Sequence, residues 1–426
     1  MLTKITKYII KPVSAYKDKT EPLVYLLLFL FPIAGMSIRH WISIIFILLM
    51  ITALITIRTK SRPLLKEEKI FLWICAFYFL MYIISSTFSG WERPQIRFLE
   101  RDLRYLAIIP IYLLIRKYPD CINWLFRGAL LGGFILVAQV YYDFNFLNLS
   151  HANGVYSKNI IGPFAVIIST WLLYYLITNK NQLPVIVRGI IIISISGALL
   201  TAALSASRGA YVGFIVTTIF CVVFFLKRKW KITGLIFAVL VSGFFYSQFN
   251  TVKSRINTGV AEFTNYWQAN DHSKHPSSAT SVGVRLEMYR TAFLITEDNL
   301  LFGNGPGNYR NIAKKYIADG EIHPAVARHS NPHNAFLEVF ISKGLLGLLS
   351  LLLLFYYPMY IFIRDYRHNR HSKITTIIGM LHIVAFTAFS LTDHSIVVKN
   401  NYIALYLIGI SIFLSSHFRS YKNSSD

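Results

Sequence analysis

The dominant pattern along the chain is a series of long apolar runs cut by short charged clusters. Such runs lie at about Leu23–Ser37, Trp41–Ile57, Ile70–Phe88, Leu103–Ile115, Trp124–Tyr142, Ile160–Ile177, Val185–Leu204, Ala210–Leu226, Ile232–Phe249, Ala335–Ile363, Ile374–Leu391 and Tyr402–Ser416. A hydrocarbon core of ~30 Å takes roughly 20 helical residues. The pattern therefore predicts an all-α integral membrane protein of about twelve spans, several of which need polar flanks to reach full length. One polar stretch is long, from about Asn250 to Asn334, and at roughly 85 residues exceeds an ordinary connection. The chain then divides into residues 1–249 (nine spans), 250–334 (the loop) and 335–426 (three spans and a tail). Within the loop, a helix over Val284–Thr296 would place Met288, Ala292 and Ile295 on one face and leave Arg285 and Glu287 to another.

Charge orients this pattern. The net charge is +23, with 54% hydrophobic and only 15% charged residues. Lys4–Lys19, Arg58–Lys69, Arg116–Lys117, Lys180, Lys227–Lys231, Arg364–Lys373 and Arg419–Lys422 all fall on one side if the N-terminus is cytoplasmic. Lys and Arg collect on cytoplasmic loops, so both termini are expected inside and the long loop outside. No nucleic-acid-binding signature accompanies the basic balance. Cys75, Cys121 and Cys221 lie outside the long loop, so no disulfide framework is expected there. The basic N-terminus leads into the first span without a small-residue cleavage site, which predicts a retained anchor.

Against that topology, cations on the external side are the informative exceptions. Arg208 sits in Ser205-Ala206-Ser207-Arg208-Gly209, a very short external connection where an unpaired guanidinium is costly. No acid lies nearby in sequence, which leaves room for an external phosphate, and Gly209 would allow the turn. Arg93, Arg97, Arg101 and Arg104 share one helical face and form either a solvated interfacial surface or a dock for anionic lipid head groups. Arg285 has an ordinary alternative, a surface pair with Glu287. The stretch His329–Gly347 returns the chain to the membrane. Asn331 can cap a helix with Pro332 at its first position, which would put His333 and Asn334 in the first turn. A helix start attracts anions and disfavours an imidazolium, so a histidine there suits proton acceptance, or it simply caps and packs. Glu338 is the clearest acid inside a span, about 140° around the helix from His333, and is an alternative base or an orienting partner. Asp393 lies at an external edge. His329 is read as exposed loop, and the external histidines lack metal spacing, so no metal or cofactor is expected. Gly303-Asn304-Gly305-Pro306-Gly307 is a turn cluster without the βαβ context of a dinucleotide site.

His333-Asn334 followed after nine residues by Gly344-Leu345-Leu346-Gly347 resembles the signature of the O-antigen ligase/polymerase superfamily. Ser207–Tyr211 is similar to that family's membrane-edge arginine motif, Ser281–Tyr289 to the arginine helix in the loop of the ligases, and Leu301–Gly307 to a glycine turn before the histidine. The resemblance implies a GT-C-like glycosyltransferase scaffold in the bacterial inner membrane with a periplasmic active site. It further implies transfer of polysaccharide from undecaprenyl diphosphate to a lipid A-core sugar, without nucleotide or metal. Carried over by motif, Arg208 and Arg285 would bind the donor diphosphate and His333 would act at the acceptor as general base, with inversion. Arg101, Arg104, Asn334, Glu338 and Asp393 are possible supporting residues. One departure is that ligases often show His-x-His-Asn, whereas here the upstream histidine is His329. A polymerase on the same scaffold is the alternative. An anionic-lipid transporter is another, disfavoured because deep acids are lacking and the external loop is large.

Overall fold

A computed structural model describes residues 18–56, 62–225, 250–297, 299–368, 373–393 and 395–422, with residues 231–234, 236, 239, 243 and 247 between. Among the described residues there is no strand. The helices are α1 Thr20–Ser37, α2 Trp41–Ile55, α3 Lys66–Ser89, α4 Arg93–Ile115, α5 Cys121–Asn145, α6 Lys158–Asn179, α7 Val185–Leu204 and α8 Arg208–Phe225. They continue as α9 Asn250–Trp267, α10 Gly283–Glu297, α11 Tyr309–Ala318, α12 Ala335–Arg367, α13 Lys373–Thr392, α14 Ser395–Val398 and α15 Asn400–Lys422.

Eight of these are long and apolar enough to cross a bilayer: α3, α5, α6, α7, α8, α12, α13 and α15. The chain is an all-α integral membrane protein. The apolar stretch of α1 (Thr20–Ile33) and helix α2 are shorter, and α4 is long but carries six charged residues in its first twelve. Most of the expected ninth span, the basic N-terminal stretch up to residue 17 and part of the Arg58–Lys69 cluster lie outside the described residues. Helices α13 and α15 form the centre of the bundle, with 83% and 89% of their apolar stretches buried, whereas α8, at 22%, lies on the periphery. Buried phenols tie the centre together through backbone carbonyls, as helix contacts in lipid favour. Tyr406 donates to Leu354 O at 2.9 Å, Tyr402 to Asn159 O at 2.7 Å and Tyr105 to Ile396 O at 2.5 Å.

The long polar stretch is folded. Its helix α10 buries Met288, Ala292 and Ile295 on one face, as the spacing predicts. They pack with Tyr309, Ala313, Val326 and Ile341 into a second small core, which rests on α12 through Ile341. Glu287 departs from expectation. It is fully buried, accepts from Tyr266 Oη at 2.7 Å and His323 N at 3.2 Å, and lies 3.7 Å from Arg290 rather than serving Arg285.

Helix α12 is broken at Gly344 (φ 67°, ψ −165°), a conformation essentially restricted to glycine. Breaking a helix frees carbonyls and amides that must be paired inside a membrane protein. The turn Leu301–Gly307 supplies the partners. Asn304 N and Gly305 N donate to Ile341 O (2.8 Å) and Ser342 O (3.0 Å), and Leu345 N and Leu346 N donate to Leu300 O (2.8 Å) and Leu301 O (3.3 Å). Gly303, Gly305 and Gly307 all have positive φ, so the sequence's turn cluster is a structural plug for the break. A methyl on Gly344 would lie 2.3 Å from the Leu301 carbonyl. Gly344→Ala should therefore lower the thermal midpoint of the solubilised protein, with about 1–3 kcal/mol from backbone strain alone. Gly189→Ala, where an added methyl meets nothing within 4 Å, should leave it nearly unchanged. Equal midpoints for the two variants would mean that the plug does not hold the break.

Candidate functional site

The start of α12 differs from the expected cap. Asn334, not Asn331, is the N-cap, its Oδ1 accepting from Phe336 N (3.0 Å) and Leu337 N (3.2 Å). His333 stands just before the helix with φ 51°, and Asn331 Oδ1 instead accepts from His333 N at 3.2 Å. The left-handed residue reverses the chain direction, so Asn331 and Pro332 cannot belong to the helix. Asn334 also donates through Nδ2 to Leu391 O at 3.3 Å, which ties this start to the end of α13. His333 is thereby held beside the residue that follows α13. Its Nδ1 lies 3.6 Å from Asp393 Oδ1, and Asp393 Oδ2 lies 2.7 Å from Lys399 Nζ. On the other ring edge, Nε2 lies 3.3 Å from His329 Nδ1. His329 is half-buried at this contact, not exposed loop, because the 3-10 turn Pro324–Arg328 folds it back onto His333.

Around His333 lies a cavity of about 180 Å³ that brings Arg208, Arg285 and Asp393 together with Lys158, Asn159 and Ser207. Arg208 and Lys158 are the first residues of α8 and α6, so two helix N-termini border the cavity. Helix starts and basic side chains both favour an anion. Among the described lining residues the one carboxylate, Asp393, already has Lys399 as counter-ion. Arg285 has no hydrogen-bond or ion-pair partner among the described residues and sits half-buried at the start of α10. The turn before Arg208 is made by Ala206 (φ 50°), not by Gly209. Gly209 serves close packing instead, since a methyl there would lie 3.1 Å from Thr392 Oγ1.

Residues 192–352, which hold Arg208, Arg285 and His333, match the family model described as O-antigen ligase. The match supports membership of the O-antigen ligase superfamily. It is 24% identical over 404 residues to the O-antigen ligase of Salmonella typhimurium, covering 88% of this chain and 90% of that protein. It is also 24% identical over 367 residues to an uncharacterized protein of Haemophilus influenzae, covering 83% of this chain and 88% of the relative. Its apolar helices make it a multi-pass membrane protein, and the family match supports an enzyme of ligase or polymerase type.

The other candidates lie elsewhere in this ligase-type scaffold. Arg104 is buried, bonded to Glu100 Oε1 (2.9 Å) and set against Phe46, and lines no described cavity. Arg101 stacks over Phe98 at 4.3 Å, so the arginine row of α4 is not a uniform solvated face. Asp102 is buried in an ion pair with Lys343, whose ammonium lies 3.8 Å above the Tyr78 ring. Glu338 is buried near this cluster, its Oε2 without a hydrogen-bond partner among the described residues, and it does not contact His333. A larger cavity of about 850 Å³, beside Phe88, Phe302 and Asn304, carries Glu297 and Asp319 against Lys315 alone, which makes it a poor phosphate site. Sequence reasoning missed Lys158, Lys399 and the contact of His329. Lys158 was findable, because it is one more cation on the side where the orientation rule expects few.

Burial lowers the pKa of His329, assisted by the charges of His333, Arg285, Arg310 and Arg328. Below about 6.5, its ordinary value, the unfolded chain takes up a proton that the folded site refuses. Stability should therefore fall as the pH drops from that value toward the depressed folded pKa and should be unaffected above it. His329→Gln should flatten this part of a plot of melting midpoint against pH. An identical acid slope in the variant would assign the loss to other groups.

Proposed function

We propose that the protein is an O-antigen ligase that transfers polysaccharide from undecaprenyl diphosphate to a sugar hydroxyl of lipid A-core on the periplasmic face of the inner membrane. The observation that carries this reading is the convergence of Arg208, Arg285 and His333 on one cavity. The chain's similarity to the Salmonella ligase over most of both lengths favours ligase over polymerase.

In this reading the two guanidiniums grip the diphosphate oxygens, a bidentate match that an ammonium cannot reproduce. The helix starts at Arg208 and Lys158 add partial positive charge where negative charge develops on the leaving group. His333 takes the proton of the acceptor hydroxyl as its oxygen bonds to the anomeric carbon. The bond from that carbon to the phosphate oxygen breaks, and its electron pair leaves with the diphosphate. One base and one displacement give inversion, and neither a covalent intermediate nor a metal is needed.

The test is transfer in a reconstituted system with lipid-linked donor and purified acceptor. Arg208→Lys and Arg285→Lys should each weaken transfer by roughly 10- to 100-fold, the worth of a charge-assisted hydrogen bond. His333→Ala should reduce turnover by about 10²–10⁴-fold while donor binding persists. Full turnover in His333→Ala would remove it as base, and normal transfer in both lysine variants would move the diphosphate elsewhere. Exhaustive chelation should leave wild-type transfer intact; loss restored by one divalent ion would overturn the metal-free mechanism.

A further inference from the structure

Helix α9 carries an apolar stripe that the rest of the described chain leaves uncovered. Ile256, Val260, Phe263 and Trp267 are each between 48% and 75% exposed. At about 100° per residue they fall within roughly 60° of one another around the helix. Phe263 and Trp267 stack with ring centroids 6.0 Å apart, which makes one end of the stripe aromatic. The exposed Asn257, Thr258, Asn265 and Gln268 point away from it. A third face is held by protein. Glu262 and Tyr266, one turn apart, reach the segment that carries Arg285. Val282 N donates to Glu262 Oε2 at 2.8 Å, and Tyr266 Oη donates to Glu287 Oε1 at 2.7 Å. These two bonds bracket Arg285, which faces the cavity from the start of α10. Rolling the stripe inward would break both.

What covers such a stripe follows from its place in the chain. Helix α9 begins at Asn250, directly after the apolar run Ile232–Phe249, which the hydrophobic pattern sends into the membrane. Ile232, Ile236 and Val239 of that run are exposed, as lipid-facing positions of a span are. The start of α9 is thus placed at a membrane boundary. A helix with an aromatic and aliphatic face and a polar back lies in the plane of such a boundary, with its apolar face among the upper acyl chains. Tryptophan favours that depth. Lys253, exposed about 60° from Ile256, suits the same placement, its stem along the stripe and its ammonium toward lipid phosphates. We propose that α9 is an interfacial anchor, with Ile256, Val260, Phe263 and Trp267 inserted into the bilayer surface on the loop side. Through Glu262 and Tyr266 this contact sets the height of Arg285. That second step rests on the reading of Arg285 as a diphosphate ligand, since a lipid-linked diphosphate lies at the same head-group level.

The experiment uses the full-length protein in lipid nanodiscs. The fluorescence of Trp267 is taken as the difference between wild type and Trp267→Phe, whose ring keeps the stripe apolar. Phosphatidylcholine brominated on its acyl chains should quench most of this signal, and acrylamide in the water should quench little. The reverse order would overturn the anchor. Quenching by neither would also overturn it, because the stripe would then be covered by protein, a second copy of the chain. For the step to Arg285, the double variant Val260→Asp with Phe263→Asp should raise KM for the lipid-linked donor by roughly 3- to 10-fold, with a smaller effect on kcat. Val260→Leu with Phe263→Leu should stay near wild type. An unchanged KM in the aspartate pair would overturn the positioning of Arg285, as would an equal rise in the leucine pair. Normal transfer by Arg285→Lys would instead sink the diphosphate reading, while the quenching, which needs no turnover, decides the anchor separately.

Discussion

A backbone polar group cannot be left unpaired inside a membrane protein, and the break at Gly344 puts that constraint where it shapes everything around it. The carbonyls freed at Ile341 and Ser342 are taken by amides of Asn304 and Gly305, and the amides of Leu345 and Leu346 by Leu300 and Leu301. A stretch of the loop is therefore bound to α12 by four backbone hydrogen bonds. The small core formed by α10, α11 and Ile341 adds to that attachment. Since Arg285 rides on α10 and His333 leads into α12, pairing the break also sets the distance between the two. Transporters use helix breaks to expose carbonyls to ions. Here the freed carbonyls are consumed by protein, and neither cavity is lined by residues 341–344.

Electrostatics then separates two polar regions that look alike in composition. Near Gly344, Asp102 neutralises Lys343, and Arg101 and Glu338 lie close by, so cations and acids balance. Among the described residues around His333, cations outnumber carboxylates. Lys158, Arg208 and Arg285 converge, while Asp393 is shared with Lys399. An excess of positive charge at two helix starts is a place prepared for an anion, and a histidine at its edge adds a proton acceptor. Recognition and proton transfer thus come from elements distant in sequence, α6, α8, α10 and the starts of α12 and α14, gathered by the packing of α13 against α8 and α12.

Hydrophobic periodicity is local, so the sequence by itself determined the apolar helices, eight of them long enough to span, and the buried face of α10. Its apolar runs coincide with α1 to α8, α12, α13 and α15, and Met288, Ala292 and Ile295 are buried together. The cost of a cation at a membrane edge is also a local property, which is why Arg208 was legible and why Lys158 should have been. Caps and turns were less so. Asn331 and Asn334 are equally good caps by residue type, and only the left-handed backbone of His333 selects Asn334. The same holds for Ala206, which makes a turn that residue preference would give to Gly209. The tertiary structure alone decided which charges are paired. Glu287 serves Tyr266 and His323, Asp102 serves Lys343, and Arg285 is left facing the cavity, whereas the pair of Glu100 with Arg104 is a local one, four residues apart on α4. Ion pairing depends on a few ångströms between helices far apart in the chain, and no spacing along one sequence encodes that distance.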